Sequence, residues 1–155
     1  ANPAFASLQL LGVYKKELVE PLAKVLANLG VKRGIVVYGN DGIDEVTVSA
    51  TNTIAEINGG EITTYTLDPQ ALGFVPCRKS DLVGGDARVN AGITYDILSG
   101  KEQGAKRDAV VLNSGLSLYL GGKGSIKECI ELARATIDNG KALEKLQQLI
   151  ALSNA

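Results

Sequence analysis

Two adjacent carboxylates, Asp44 and Glu45, follow the loop Gly39-Asn40-Asp41-Gly42. Such a pair can hold Mg²⁺, a hard cation that takes one or two carboxylates while phosphate oxygens and water complete its octahedron. The pair follows an apolar run, and layered α/β domains bind ligands at the carboxyl ends of their strands. Against a metal site, neighbours on an ideal strand face opposite sides, and so short a motif is commonly a solvated turn. By residue type alone the turn is favoured.

Two glycine-rich stretches are weaker candidates. Gly84-Gly85-Asp86 precedes a helical pattern and could offer free N–H groups to an anion, but the Asp86 carboxylate competes as the helix's own cap. In Leu120-Gly121-Gly122-Lys123-Gly124-Ser125, Gly122-Lys123 is followed by Gly124 where a phosphate loop needs Ser or Thr, and the first glycine is misplaced. It reads as a connection into a capped helix. Arg78-Lys79 and Lys106-Arg107-Asp108 read as exposed charge clusters.

Absent residue types exclude chemistry outright. With no His, neither a Ser-His or Cys-His nucleophile pair nor a histidine-ligated zinc can be built from this chain. Cys77 and Cys129 lack metal-ligand spacing and read as two reduced thiols. The balance of 16 basic against 17 acidic residues, a formal charge of −1, argues against nucleic acid as a partner. No apolar run of membrane-spanning length occurs, so no membrane partner and a cytoplasmic location are expected. At 155 residues and 45% hydrophobic the chain can bury a core as a single domain over 1–155. Ala at the first position and the lack of Met and Trp suggest a fragment or an engineered piece.

The elements that must position these residues alternate between strand and helix, which predicts an α/β fold: a layered sheet with flanking helices and a peripheral β-hairpin. Strands are expected at Leu8–Tyr14, Gly34–Gly39 and Glu45–Ser49. The hairpin is expected where Ile54–Ile57 and Glu61–Leu67 flank Asn58-Gly59-Gly60. Apolar spacing at Leu18, Leu22, Val25, Leu26 and Leu29 predicts a helix stopped by Gly30. Asp68-Pro69 is expected to open a short turn or helix, and the stretch from there to Gly84-Gly85 reads as surface loop. Asp86 is expected to cap a helix burying Val89, Ile93 and Ile97. Residues 108–120 fit either a strand or a helix, and periodicity leaves both open. Ser125 and Glu128 form a capping box for a helix through Ile126, Ile130, Ala133 and Ile137, and a last helix should bury Leu143, Leu146, Leu149 and Ile150.

Read in order, the chain resembles the carboxyl-terminal α/β portion of anthranilate phosphoribosyltransferase, a pentosyltransferase of tryptophan biosynthesis. The resemblance is carried by Asn2-Pro3-Ala4 with Gln9–Tyr14, by Val36–Glu45, by Gly84-Gly85-Asp86-Ala87 with Asn90, by Lys106–Asn113 and by Ile137–Ala142. It implies transfer of phosphoribose from phosphoribosyl pyrophosphate to anthranilate with Mg²⁺ as cofactor, and it makes Asp44 and Glu45 metal ligands. It also implies that an upstream helical region, the pyrophosphate-binding loop and most anthranilate contacts are missing here. The chain alone is then expected to be inactive, with a complementing N-terminal half as a partner. The competing expectation is a non-catalytic α/β domain, isolated, reconstructed or designed, with no physiological ligand.

Overall fold

A strand covered on both faces needs no polar alternation, and Gly34-Ile35-Val36-Val37 is such a run. In the structure, a computed structural model that describes residues 5–154, this run lies within β2 (Arg33–Gly39). Asn2-Pro3-Ala4 lie outside the described residues. Around β2 the chain forms β1 (Leu8–Gly12), α1 (Val19–Asn28), β3 (Asn52–Asn58) and β4 (Glu61–Leu67). The helices α2 (Ala87–Leu98), α3 (Ala105–Leu120), α4 (Ile126–Asp138) and α5 (Lys141–Ser153) follow.

Among the described residues the sheet runs β1-β2-β3-β4, with β1 parallel to β2 and the other pairs antiparallel. Alternation along β2 sorts the core into two layers. Ile35 and Val37, with Ile54 of β3, face Val111, Leu112 and Leu116 of α3 and Ile130 of α4. Val36, with Ala55 and Ile57, faces Val19, Ala23 and Leu26 of α1. Register and burial agree, since Val37 pairs with Ile54 and Val36 with Ala55. Glu56, opposite Ile35, also points into the α3 layer, where its carboxylate accepts from Tyr65 Oη at 2.9 Å and Tyr119 Oη at 2.7 Å. Burial and the Glu56 charge push the Tyr65 phenol well above the ordinary tyrosine range.

The antiparallel helices α3 and α4 are tied by ion pairs. Arg107, buried in the first turn of α3, donates to Asp138 Oδ1 at 2.6 Å, and Arg134 donates to Asp108 Oδ1 at 3.3 Å. The capping box forms, with Ser125 N–H donating to Glu128 at 2.8 Å. That hydrogen bond holds the Glu128 carboxyl below its usual range, so its contribution is present above the ordinary glutamate range and lost as pH falls through the lowered value.

Several expectations need correction. Residues 108–120, open between strand and helix by periodicity, are helical, because the Val111, Leu112, Gly115, Leu116 stripe is buried as one face of α3. Residues 45–49 form no strand. In α1, Val25 and Leu29 are exposed and the buried stripe is Val19, Ala23 and Leu26. The loop after β4 is partly interior: Phe74 is buried under the guanidinium of Arg134, 4.7 Å from its ring centre. Of the three residues expected to bury α2, only Ile97 does so, and Val89 is half exposed. In α5 nothing is fully buried, and Leu149 and Ile150 face outward. The peripheral hairpin forms as expected, with Gly59 and Gly60 both at positive φ, β4 at one sheet edge and β3 paired with β2. Cys77 and Cys129 are free thiols, and burial raises Cys77, helped by Asp81, Asp108 and Asp41.

The two faces of the helical layer should differ sharply in urea unfolding. Leu116→Ala is expected to cost about 2–5 kcal/mol through the cavity it leaves. Leu149→Ala, on the outward face of α5, should stay within about 0.5 kcal/mol of the parent. Equal losses for the two would contradict the layer assignment.

Candidate functional site

The loop from β2 to β3 carries Asp44 and Glu45, and its course is set by its backbone bonds. Gly39 N–H donates to the Ile43 carbonyl at 2.9 Å and Gly42 N–H to the Gly39 carbonyl at 2.8 Å, closing a tight turn at the end of β2. Gly42 takes φ +85°, a conformation other residues adopt at a cost. Asp41 then ties the loop's two ends together: its Oδ2 accepts from Thr47 Oγ1 at 2.9 Å and from Ser49 Oγ. Lys79 Nζ donates to the Asp41 carbonyl at 2.8 Å.

Beyond Glu45 the backbone is held by side-chain amides. Val46 N–H donates to Asn113 Oδ1 at 3.1 Å, and Asn113 Nδ2 donates to the Val46 carbonyl at 2.8 Å. Thr47 N–H donates to Asn52 Oδ1 at 2.8 Å, and Asn52 Nδ2 donates to the Thr47 carbonyl at 3.0 Å. Two consecutive buried residues thus have both polar groups met by a primary amide, one from α3 and one from β3. This is why the apolar alternation of Glu45–Ser49 yields no strand. Buried N–H and C=O groups must be paired, and here asparagines supply the pairing that a neighbouring strand would otherwise give.

The loop is also pressed against β1. A Cβ at Gly12 would lie 1.5 Å from the Asp44 carbonyl oxygen, so only glycine allows this approach. Asp44 and Glu45, both exposed, line one cavity of about 460 Å³. Its other walls include Leu82, Gly84, Asn90 and Thr94, with Lys106 from the first turn of α3. Because the pair does not sit on an ideal strand, the objection that neighbours face opposite sides does not apply. A second cavity of about 490 Å³, lined largely by α3 and α4, has no ionisable residue on its walls.

The remaining candidates also find places. Asp86 accepts from Val89 N–H at 2.9 Å and is a helix cap, while Asn90 clamps Gly85 through bonds of 2.8 and 2.9 Å. The Gly121–Gly124 stretch is a connection into α4. Lys106, read as exposed surface, instead belongs to the cavity, and its Nζ donates to the Asp81 carbonyl at 2.8 Å. Residue type alone gives Asn113, Asn52 and Gly12 no role. The available signal for Asn113 is an amide directly after the apolar run Val110-Val111-Leu112 and three residues before Leu116.

Among the described residues no three His, Cys, Asp or Glu side chains gather closely enough to hold a metal ion. A two-carboxylate donor set nonetheless fits Mg²⁺, which characteristically retains water and phosphate oxygens. It would not fit a cation that demands a full protein cage. No helix among the described residues is long and apolar enough to cross a membrane.

Comparison with known proteins places these features in context. Residues 1–143 match the family model described as glycosyl transferase family, a/b domain. The chain is 52% identical, over its whole length, to anthranilate phosphoribosyltransferase of Ruminiclostridium cellulolyticum, covering 46% of that protein. It is 49% identical to the enzyme of the same name from Endomicrobium trichonymphae, again covering 46%. The chain thus spans about half the length of the curated relatives it matches, corresponding to their carboxyl-terminal portion. Among solved structures, anthranilate phosphoribosyltransferase from Thermus thermophilus superposes with a TM-score of 0.84 at 35% identity, over 93% of this chain and 42% of that one. The Saccharomyces cerevisiae enzyme in complex with PRPP and Mg gives 0.82 at 28% identity, over 90% and 41%.

The Gly12 contact makes a sharp prediction. Gly12→Ala must push the Asp44 peptide away, and should cost about 1–3 kcal/mol, as overpacking does. In NMR spectra the amide shifts of Asp44 and Glu45 should move more than those of α5. An unchanged urea midpoint with undisturbed loop shifts would contradict the contact.

Proposed function

The chain belongs to the glycosyl transferase family through its a/b domain, and from that premise we propose that it forms one wall of an anthranilate phosphoribosyltransferase active site. The reaction is transfer of phosphoribose from phosphoribosyl pyrophosphate to anthranilate, with release of pyrophosphate. The observation that carries this reading is the pair Asp44 and Glu45, brought together on one cavity beyond the end of β2.

Asp44 and Glu45 would hold Mg²⁺, which when bound supplies neutralising charge to a pyrophosphate leaving group. Exposed carboxylates suit that role because a ligand bringing its own phosphates and water must reach them. Lys106, which lines the same cavity, would supply a cation to a diphosphate held there. The relatives, at roughly twice this length, support the further proposal that the upstream half supplies the remaining substrate contacts. The two apolar faces of β1 and its outer edge, which pairs with no other described strand, are consistent with a sheet that continues into that half. By itself the chain should have little or no transferase activity.

Two measurements check this. Calorimetric titration with Mg²⁺ and pyrophosphate should give saturable, Mg²⁺-dependent binding that the double variant Asp44→Asn, Glu45→Gln loses. Equal binding by both proteins would sink the metal assignment, and no binding by either would favour a domain without a ligand. Transferase activity should appear only when the upstream half of a relative is supplied in trans. Turnover by this chain alone at a rate typical of the full enzyme would refute the incompleteness.

A further inference from the structure

We infer that Asn113 is a positioning residue for the Asp44-Glu45 pair, fixing from α3 the backbone that presents these carboxylates to a divalent cation bound to a diphosphate. The inference rests on the functional reading above and assigns to a helix residue a task that its own neighbours in the helix do not need.

A carboxylate on an exposed loop is a good ligand only if its backbone is held, since every loose torsion must be ordered when the cation binds. What is fixed here is the peptide immediately after the pair. Asn113 meets both polar groups of Val46, the residue next to Glu45, with bonds of 3.1 and 2.8 Å. Its Nδ2 also donates to the Ala109 carbonyl at 2.9 Å, which locks the amide's orientation within α3. The helix that carries it is anchored by Val111, Leu112 and Leu116, all fully buried. Through this side chain the loop is tied to the buried core of α3.

The same helix also lines the cavity. Lys106 and Asn113 are seven residues apart, two turns, and so share a face of α3 about 10 Å apart along its axis. Ala109 and Val110, between them, also line the cavity. One rigid rod thus sets the spacing between the cation at Lys106 and the carboxylates clamped through Val46. Asn52 holds Thr47 from β3 and Asp41 closes the loop's entrance, but neither ties the loop to α3.

The test uses Asn113→Asp, which keeps the volume and an acceptor for Val46 N–H but removes both N–H donations and sets a carboxylate against the Val46 carbonyl. Asn113→Ser decides by the same readings if that variant does not fold. Val111→Ala, a core truncation on the same helix, controls for lost stability. Without metal, amide exchange at Glu45, Val46 and Thr47 should quicken in the Asn113 variant beyond the change in the control. With Mg²⁺ and pyrophosphate, binding should weaken about 10–100-fold relative to the parent and stay near parental in the control. Unchanged loop exchange would overturn the clamp, and quickened exchange with parental binding would overturn the positioning role. If the parent itself binds nothing, the inference falls together with the functional reading, and the parent's silence identifies that failure.

Discussion

The structure depends on how one short stretch of buried backbone is satisfied. Val46 and Thr47 are nearly inaccessible, yet no strand pairs with them. A buried unpaired peptide group costs about 1–3 kcal/mol, so four such groups could not be left unmet. Two asparagine side chains meet all four, one reaching from the helical layer and one from the sheet. The clamps let the chain leave β2, expose two carboxylates and return to β3 without a ladder. They also pin the loop between α3 and the sheet, where Gly12 has no side chain to keep it away.

The two layers bear on this arrangement unequally. The α1 layer covers one sheet face and has no residue on the site cavity. The α3 layer does both tasks: its buried stripe packs on Ile35, Val37 and Ile54, and its neighbouring face carries Lys106 and Asn113 to the cavity and its loop. Ion pairs from α3 to α4 at Asp138 and Arg134 hold the rod that spans the site. At the other extreme, α5 and most of α2 are thinly packed, and their outward apolar residues contribute little to this chain's own core.

Much of this was legible in the residues. The doubly covered strand, the hairpin glycines, the Ser125–Glu128 box and the Asp86 cap each follow from local rules, and each stands in the structure as expected. Where local patterns misled, burial decided. Residues 45–49 alternate like a strand in sequence, but Val46 and Thr47 are paired by two side-chain amides, which no period-2 pattern encodes. Leu149 and Ile150 sit at helical spacing with nothing to cover them, because periodicity announces an apolar face and not its partner. Asp44 and Glu45 could be singled out by type, whereas their convergence with Lys106 depends on contacts 62 and 61 positions apart in sequence, between elements that only the sheet brings together.

The central claim is that one loop, held by Asn113 and Asn52, presents Asp44 and Glu45 to a metal–diphosphate at a cavity shared with α3. Paramagnetic relaxation in the isotope-labelled chain tests it most directly, with Mn²⁺ replacing Mg²⁺ in its oxygen-ligand site in the presence of pyrophosphate. The account predicts line broadening centred on the amides of Asp44 and Glu45 and extending to Gly84 and Lys106. Broadening centred elsewhere, with the loop of residues 43–47 left sharp, would contradict it.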